Sequence, residues 1–210
     1  MLILIKKMCI PLLMFVISFK INHANECKIP ENNEDIDWDK VENEWYLVLH
    51  TNDEVMKKNV LGAKLWNFTN TNEEIQLLIT DLHKNSPPQT FTRNWIKQRA
   101  GVYREEMSRK PAVLASHTLT PDRRINENAK KIDDALFNDD SLILCDEKNY
   151  MVHAFCSFSD EWIVWVTFPT LNPTIRQISL MWNKLIEKGI IVQLYPSKTV
   201  EHLELMKDLK

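Results

Sequence analysis

The stretch LILCDEKNYMVHAFCSFSDEWIVWVTF, residues 142–168, reads as three short strands joined by two tight turns. Leu142 to Cys145 is apolar, Asp146 to Asn149 is turn-like, and Tyr150 to Phe158 is a second strand containing Cys156. Ser159 and Asp160 allow another turn. Trp162 to Phe168 is a third strand, dense in the β-branched and aromatic residues that suit a pleated, half-buried surface. Beyond it Asn172 suits a helix N-cap, Pro173 a first helical position and Gly189 the position just past the end. Between them Ile175, Ile178, Met181, Trp182, Leu185 and Ile186 recur at helical spacing, and a last apolar run closes near Pro196. An antiparallel meander followed by one outer helix is how a small closed barrel finishes its chain, and such barrels hold ligands.

Working back from this stretch, Trp45 to His50 reads as the first strand. Ala63 to Phe68 and Ile75 to Leu82 flank the polar turn Asn70 to Glu73 and suggest a hairpin. Thr90 to Gln98 is a fourth candidate and Ala112 to Leu119 a fifth, whereas Pro121 to Asp140 reads as an irregular connection with one short helix. The expected fold is all-β: an eight-stranded up-and-down antiparallel barrel with a C-terminal α-helix packed outside.

The first residues set the compartment. Lys6 and Lys7 precede an apolar stretch from Met8 to Phe19, and the small residue Ala24 follows a short polar segment, as in a secretory signal peptide. About a dozen apolar residues interrupted by Pro11 fall short of the roughly 20 that span a bilayer. We therefore expect a signal peptide at 1–24, a barrel domain at 25–196, a polar C-terminal tail at 197–210, and a secreted, extracellular protein. Cleavage removes Lys6, Lys7 and Lys20, so the formal charge becomes 23 − 29 = −6. An acidic secreted chain argues against nucleic acid or an anionic membrane as partner.

Three cysteines remain after cleavage: Cys27, Cys145 and Cys156. Cys145 and Cys156 flank a turn near Lys148 whose register sets Cys145 opposite a residue near Met151, so a bridge between those two is awkward. Cys27 lies in a polar leader and can reach either. We favour Cys27–Cys156, with Cys145 a buried, inert strand cysteine.

From Cys27 to about Pro196 the chain resembles the lipocalins, of the apolipoprotein D-like or arthropod salivary type. Cys27-Lys-Ile-Pro30 is similar to the leader of the apolipoprotein D-like members, and Asn43-Glu44-Trp45-Tyr46 stands where Gly-x-Trp-Tyr opens the first strand. Cys145-Asp146-Glu147 occupies the place of the Thr-Asp-Tyr turn and keeps only its aspartate. Cys156 matches the strand cysteine that pairs with the leader, a second argument for the bridge. The arginine that closes the family's eighth strand over the first-strand tryptophan is replaced near Thr167 or Phe168. The resemblance implies Trp45 at the barrel floor, and either a bound small molecule or, as in some parasite and arthropod secretions, a macromolecular target.

Asn67-Phe68-Thr69 is a glycosylation sequon. A glycan attaches only on the outer face and strand side chains alternate, so an outward Asn67 predicts Trp66 and Phe68 inside the barrel. Trp95 would add another aromatic wall. Residues 93–131 hold ten Lys/Arg against four Asp/Glu, mostly a solvated outer face, but Arg93, Lys97 or Arg99 at the mouth could meet an anionic head group with help from the Tyr103 hydroxyl. The ligand-binding candidates are thus Trp66, Phe68, Trp95, Tyr103 and Arg93. His83 stands where some lipocalins of blood-feeding arthropods hang haem, but one histidine at a strand end is thin support. With no His-Glu-x-x-His, Cys-x-x-Cys or Gly-x-Ser-x-Gly, no enzyme, metal or cofactor is expected. The expected function is non-covalent binding of a small, mostly apolar ligand. The alternative is a filled barrel whose loops bind a macromolecule, which so many bulky aromatics could produce.

Overall fold

The structure, a computed structural model, describes residues 27–58, 60–71, 73–83, 87–107 and 127–199. The signal-peptide segment, the strand expected at 112–119 and residues 200–210 lie outside these. Eight strands run antiparallel in chain order: β1 (Glu44–His50), β2 (Val60–Asn70), β3 (Glu74–His83), β4 (Gln89–Arg99), β5 (Val102–Met107), β6 (Asp140–Asp146), β7 (Tyr150–Cys156) and β8 (Trp162–Phe168). β1 pairs with β2 through Glu44–Tyr46 and with β8 through Tyr46–His50, so the sheet closes on itself. Closure leaves no free edge among the barrel strands. A ninth strand, β9 (Tyr195–Pro196), adds to β1 from outside.

Among the described residues three α-helices accompany the barrel: α1 (Glu54–Lys58), α2 (Glu127–Asn138) and α3 (Ile175–Glu187). α3 packs Met181 and Leu185, with Ile178 and Trp182 beside them, against outward residues such as Leu144, Val152, Ala154 and Val166. Strands under a helix are buried on both faces, which is why β6, β7 and β8 read as nearly continuous apolar runs. The N-cap of α3 is Thr174, not Asn172: its hydroxyl accepts from Gln177 N–H while the Gln177 side chain accepts from Thr174 N–H. A reciprocal capping box satisfies two orphan donors and outcompetes the single cap Asn172 would supply. Gly189, at φ 73°, ends the helix in the left-handed region as expected.

Two other expectations need correction. The fifth strand among the described residues is Val102–Met107, while the short helix expected within residues 121–140 is present as the 12-residue α2. Residues Ser197 to Thr199, assigned to a polar tail, are packed: the Ser197 amide donates to Val48 O, and Thr199 is fully buried, its hydroxyl donating to Leu47 O. Gly62 permits this, since a Cβ there would overlap Thr199.

The leader crosses the floor of the barrel. Cys27 is bonded to Cys156, Asn32 is buried against Gly101 in the β4–β5 turn, and Glu34 pairs with Lys184 of α3. A single 3-10 turn, Trp38–Lys40, then drops the Trp38 ring into the interior. No helix among the described residues is long and apolar enough to cross a membrane.

The barrel cavity as candidate functional site

Inside the barrel two apolar clusters leave a gap between them. The floor cluster is aromatic: Trp38 lies 5.9 Å from Phe68, 5.8 Å from Trp95 and 5.8 Å from Tyr103, ring centre to ring centre. Trp45 is fully buried beside them and donates its Nε1 to Glu42 O at 2.6 Å. The upper cluster joins Val55 of α1 and Ile132 and Leu136 of α2 to Val60, Phe155 and Ile163. Between the two lies a cavity of about 70 Å³.

Aliphatic side chains line much of it, among them Leu47, Ala63, Leu65, Ile79 and Met151, with Val55, Met56 and Leu136 at the helical end. Phe91, Trp95 and Trp165 supply aromatic walls, and the polar lining is Asp81, Arg93, Glu105, His153 and Thr167. Arg93 Nε meets Glu105 Oε1 at 2.5 Å, with both side chains almost wholly buried. The guanidinium also lies between two phenyl rings, 4.2 Å from that of Phe91 on β4 and 4.8 Å from that of Phe137 on α2. Arg93 thereby fastens α2 to the barrel wall. Opposite, Asp53 accepts from the Val55 and Met56 amides, capping α1, and from Trp165 Nε1 at 3.0 Å.

His153 projects from β7 into this wall and is only 8% exposed. Its ring contacts Trp95, Phe155 and Trp165, and its Nε2 has no hydrogen-bond partner. Burial pushes its pKa down to about 3, so the imidazole is neutral at physiological pH. The unfolded chain takes up a proton below the ordinary value of 6.5, while the folded chain does so only near 3. Stability therefore falls as pH drops through that window. Between pH 7 and pH 5 wild type should lose about 2 kcal/mol more than His153→Leu, read from urea midpoints. The interval avoids Asp37, Glu44 and Glu187, whose carboxyls are held below the usual range by hydrogen bonds from Lys40, Lys64 and Lys184 respectively. Equal slopes for the two proteins would mean that His153 is not buried neutral.

The residues singled out from sequence separate into three groups. Trp95 and Arg93 line the cavity. Phe68, Tyr103 and Trp45 form the floor, and the Tyr103 hydroxyl is engaged by Trp38 Nε1 at 2.9 Å. Trp66 is a correction: it lies on the outer face, with Lys64 over its ring and its Nε1 donating to Thr80 Oγ1. The cause is local. Asn67 adopts φ 56° and the β2–β3 register slips between Trp66 and Thr69, so Phe68 turns inward without Trp66. Asn67 itself is exposed. Lys97 pairs with Asp35 of the leader, and Arg99 is exposed at the end of β4.

Cys27–Cys156 is the bridge, with Cα atoms 5.5 Å apart, and Cys145 stands opposite Met151 as its register requires. Cys145 is free and half-buried, and its thiol pKa is raised by burial and then by Asp146 and Glu147. His83 is buried at the end of β3, and no cluster of metal-ligating side chains occurs among the described residues. Sequence reasoning missed Trp38, Phe91, Glu105, His153 and Trp165. Phe91 was within reach, since alternation from Arg93 and Trp95 places it on the same face.

No family model matches the sequence, and neither does any curated protein sequence. Solved structures do match. The cockroach allergen Per a 4 superposes with a TM-score of 0.55 at 11% identity, over 82% of this chain and 94% of that one. The amine-binding protein of Rhodnius prolixus, solved as its tryptamine complex, gives 0.51 at 15% identity, over 88% and 94%. With a closed eight-stranded meander, a leader across the floor bonded to β7 and a helix packed outside, the chain has the lipocalin fold.

Proposed function

We propose that the protein is a secreted carrier that binds a small, mostly apolar molecule inside its barrel. The observation that carries this reading is the interior cavity of about 70 Å³, with aromatic and aliphatic walls and a few convergent polar groups. That composition is typical of small-molecule sites. The cavity is far below the several hundred Å³ that take drug-sized ligands, so its occupant is small, or only its head enters while the rest passes α1 and α2. The amine-binding protein of Rhodnius prolixus, which shares the fold, was solved as its tryptamine complex. The disulfide suits an oxidising compartment, and exposed Asn67 is accessible to a glycan.

Native mass spectrometry of protein from its natural source tests all three parts. The expected mass is that of a chain starting at Asn25, with a glycan on Asn67 and a co-purifying small molecule released on denaturation. A chain that still begins at Met1 would remove the extracellular reading. An empty protein that takes up no apolar probe would leave the macromolecule-binding alternative.

A further inference from the structure

In the cavity wall one polar group lacks what every comparable group beside it has. Trp95 Nε1 is committed to Glu105 Oε2 at 3.4 Å, Trp165 Nε1 to Asp53 Oδ2 at 3.0 Å, and the Thr167 hydroxyl to Met151 O. Arg93 and Glu105 neutralise each other. His153 Nε2 alone of these is buried with no partner, enclosed by the rings of Trp95, Phe155 and Trp165 at 5.4–5.8 Å. A buried polar atom left in this state costs folding free energy, and native structures hold few of them. The neighbouring indoles have no N–H to offer, so the partner has to come through the cavity that His153 lines.

We propose that His153 is the polar anchor of the cavity and takes an uncharged hydroxyl-bearing head group, as of a phenol or an alcohol. The inference rests on the carrier reading above and names the chemistry it selects. A neutral imidazole presents one unsatisfied nitrogen at Nε2 and no charge, so it favours an uncharged group over an ion. A hydroxyl donates and accepts, and therefore satisfies Nε2 in either tautomer. The aromatic rings around the histidine, tilted or edge-on to it, form apolar walls for the carbon skeleton that carries the hydroxyl.

Phenol and toluene differ by one hydroxyl for one methyl at nearly the same size, and titration calorimetry of both against wild type and His153→Leu provides the test. The ratio of phenol to toluene affinity should fall about tenfold in the variant, through loss of phenol binding with toluene binding kept. Comparing ratios cancels the difference in hydrophobicity between the probes. As a check that needs no substitution, the Nε2 resonance of ¹⁵N-histidine-labelled wild type should shift with phenol and not with toluene. If both probes bind while the ratio and the Nε2 resonance stay unchanged, His153 is not the anchor and the carrier reading survives. If neither probe binds wild type, both readings fall together.

Discussion

Arg93→Met is expected to destabilise the protein by about 3–5 kcal/mol, and adding Glu105→Leu to restore most of that loss. Both side chains are almost wholly buried, and their contact is short. Removing the guanidinium alone leaves a carboxylate desolvated without its cation, whereas removing both charges leaves an apolar wall. The single substitution also deprives α2 of its clasp, because the guanidinium bridges Phe91 and Phe137. Amide exchange in α2 should therefore rise in Arg93→Met more than in β6 or β7, whose burial does not depend on the arginine. Urea unfolding of wild type, both single variants and the double variant measures the coupling directly. Additive losses, or a single loss below about 1 kcal/mol, would show that the pair behaves as an exposed one and that the wall is not dry.

The same pair explains why one strand escaped sequence reading. Val102-Tyr-Arg-Glu-Glu-Met107 places Glu105 inside the barrel, and an inward charge breaks the apolar alternation that identifies a strand. Arg93 and Trp95 on the neighbouring strand make that position tolerable, and nothing local signals partners ten and twelve residues away. The meander at residues 142–168 was legible because its turns are polar and its strands β-branched. Its inward face was not. Under α3 both faces of β7 are apolar, so Tyr150, Val152 and Ala154 could not be told from Met151, His153 and Phe155, and the site histidine passed unnoticed. Trp66 failed for another reason: strict alternation across Asn67 assumes an unbroken pleat, and the bulge there reverses the face of everything before it. Cys145, in contrast, was expected opposite a residue near Met151 and faces Met151 itself, because a short turn leaves a hairpin little choice of register.

Cys27→Ser should cost about 3–5 kcal/mol, because the bridge it removes closes 129 residues of sequence. Loop-closure entropy for a span of that length sets an upper figure of about 5 kcal/mol at 25 °C. The observed loss should fall below it, since the leader has other attachments: buried Asn32, the Glu34–Lys184 pair, and Trp38 locked among Phe68, Trp95 and Tyr103. Those contacts keep the floor plugged in the folded variant, so the main effect lies in the unfolded ensemble, which regains the freedom the bridge denied it. Cys27→Ser/Cys156→Ser should lose about as much as the single variant, and reduction of wild type should reproduce both. Thiol counting under denaturing conditions should find one thiol in wild type, at Cys145, and two in Cys27→Ser, at Cys145 and Cys156. A wild type in which Cys156 labels and Cys145 does not would mean that the leader is tied to β6 instead of β7. Asn32 and Trp38 would then be drawn away from Gly101 and Tyr103, and the floor described above could not form.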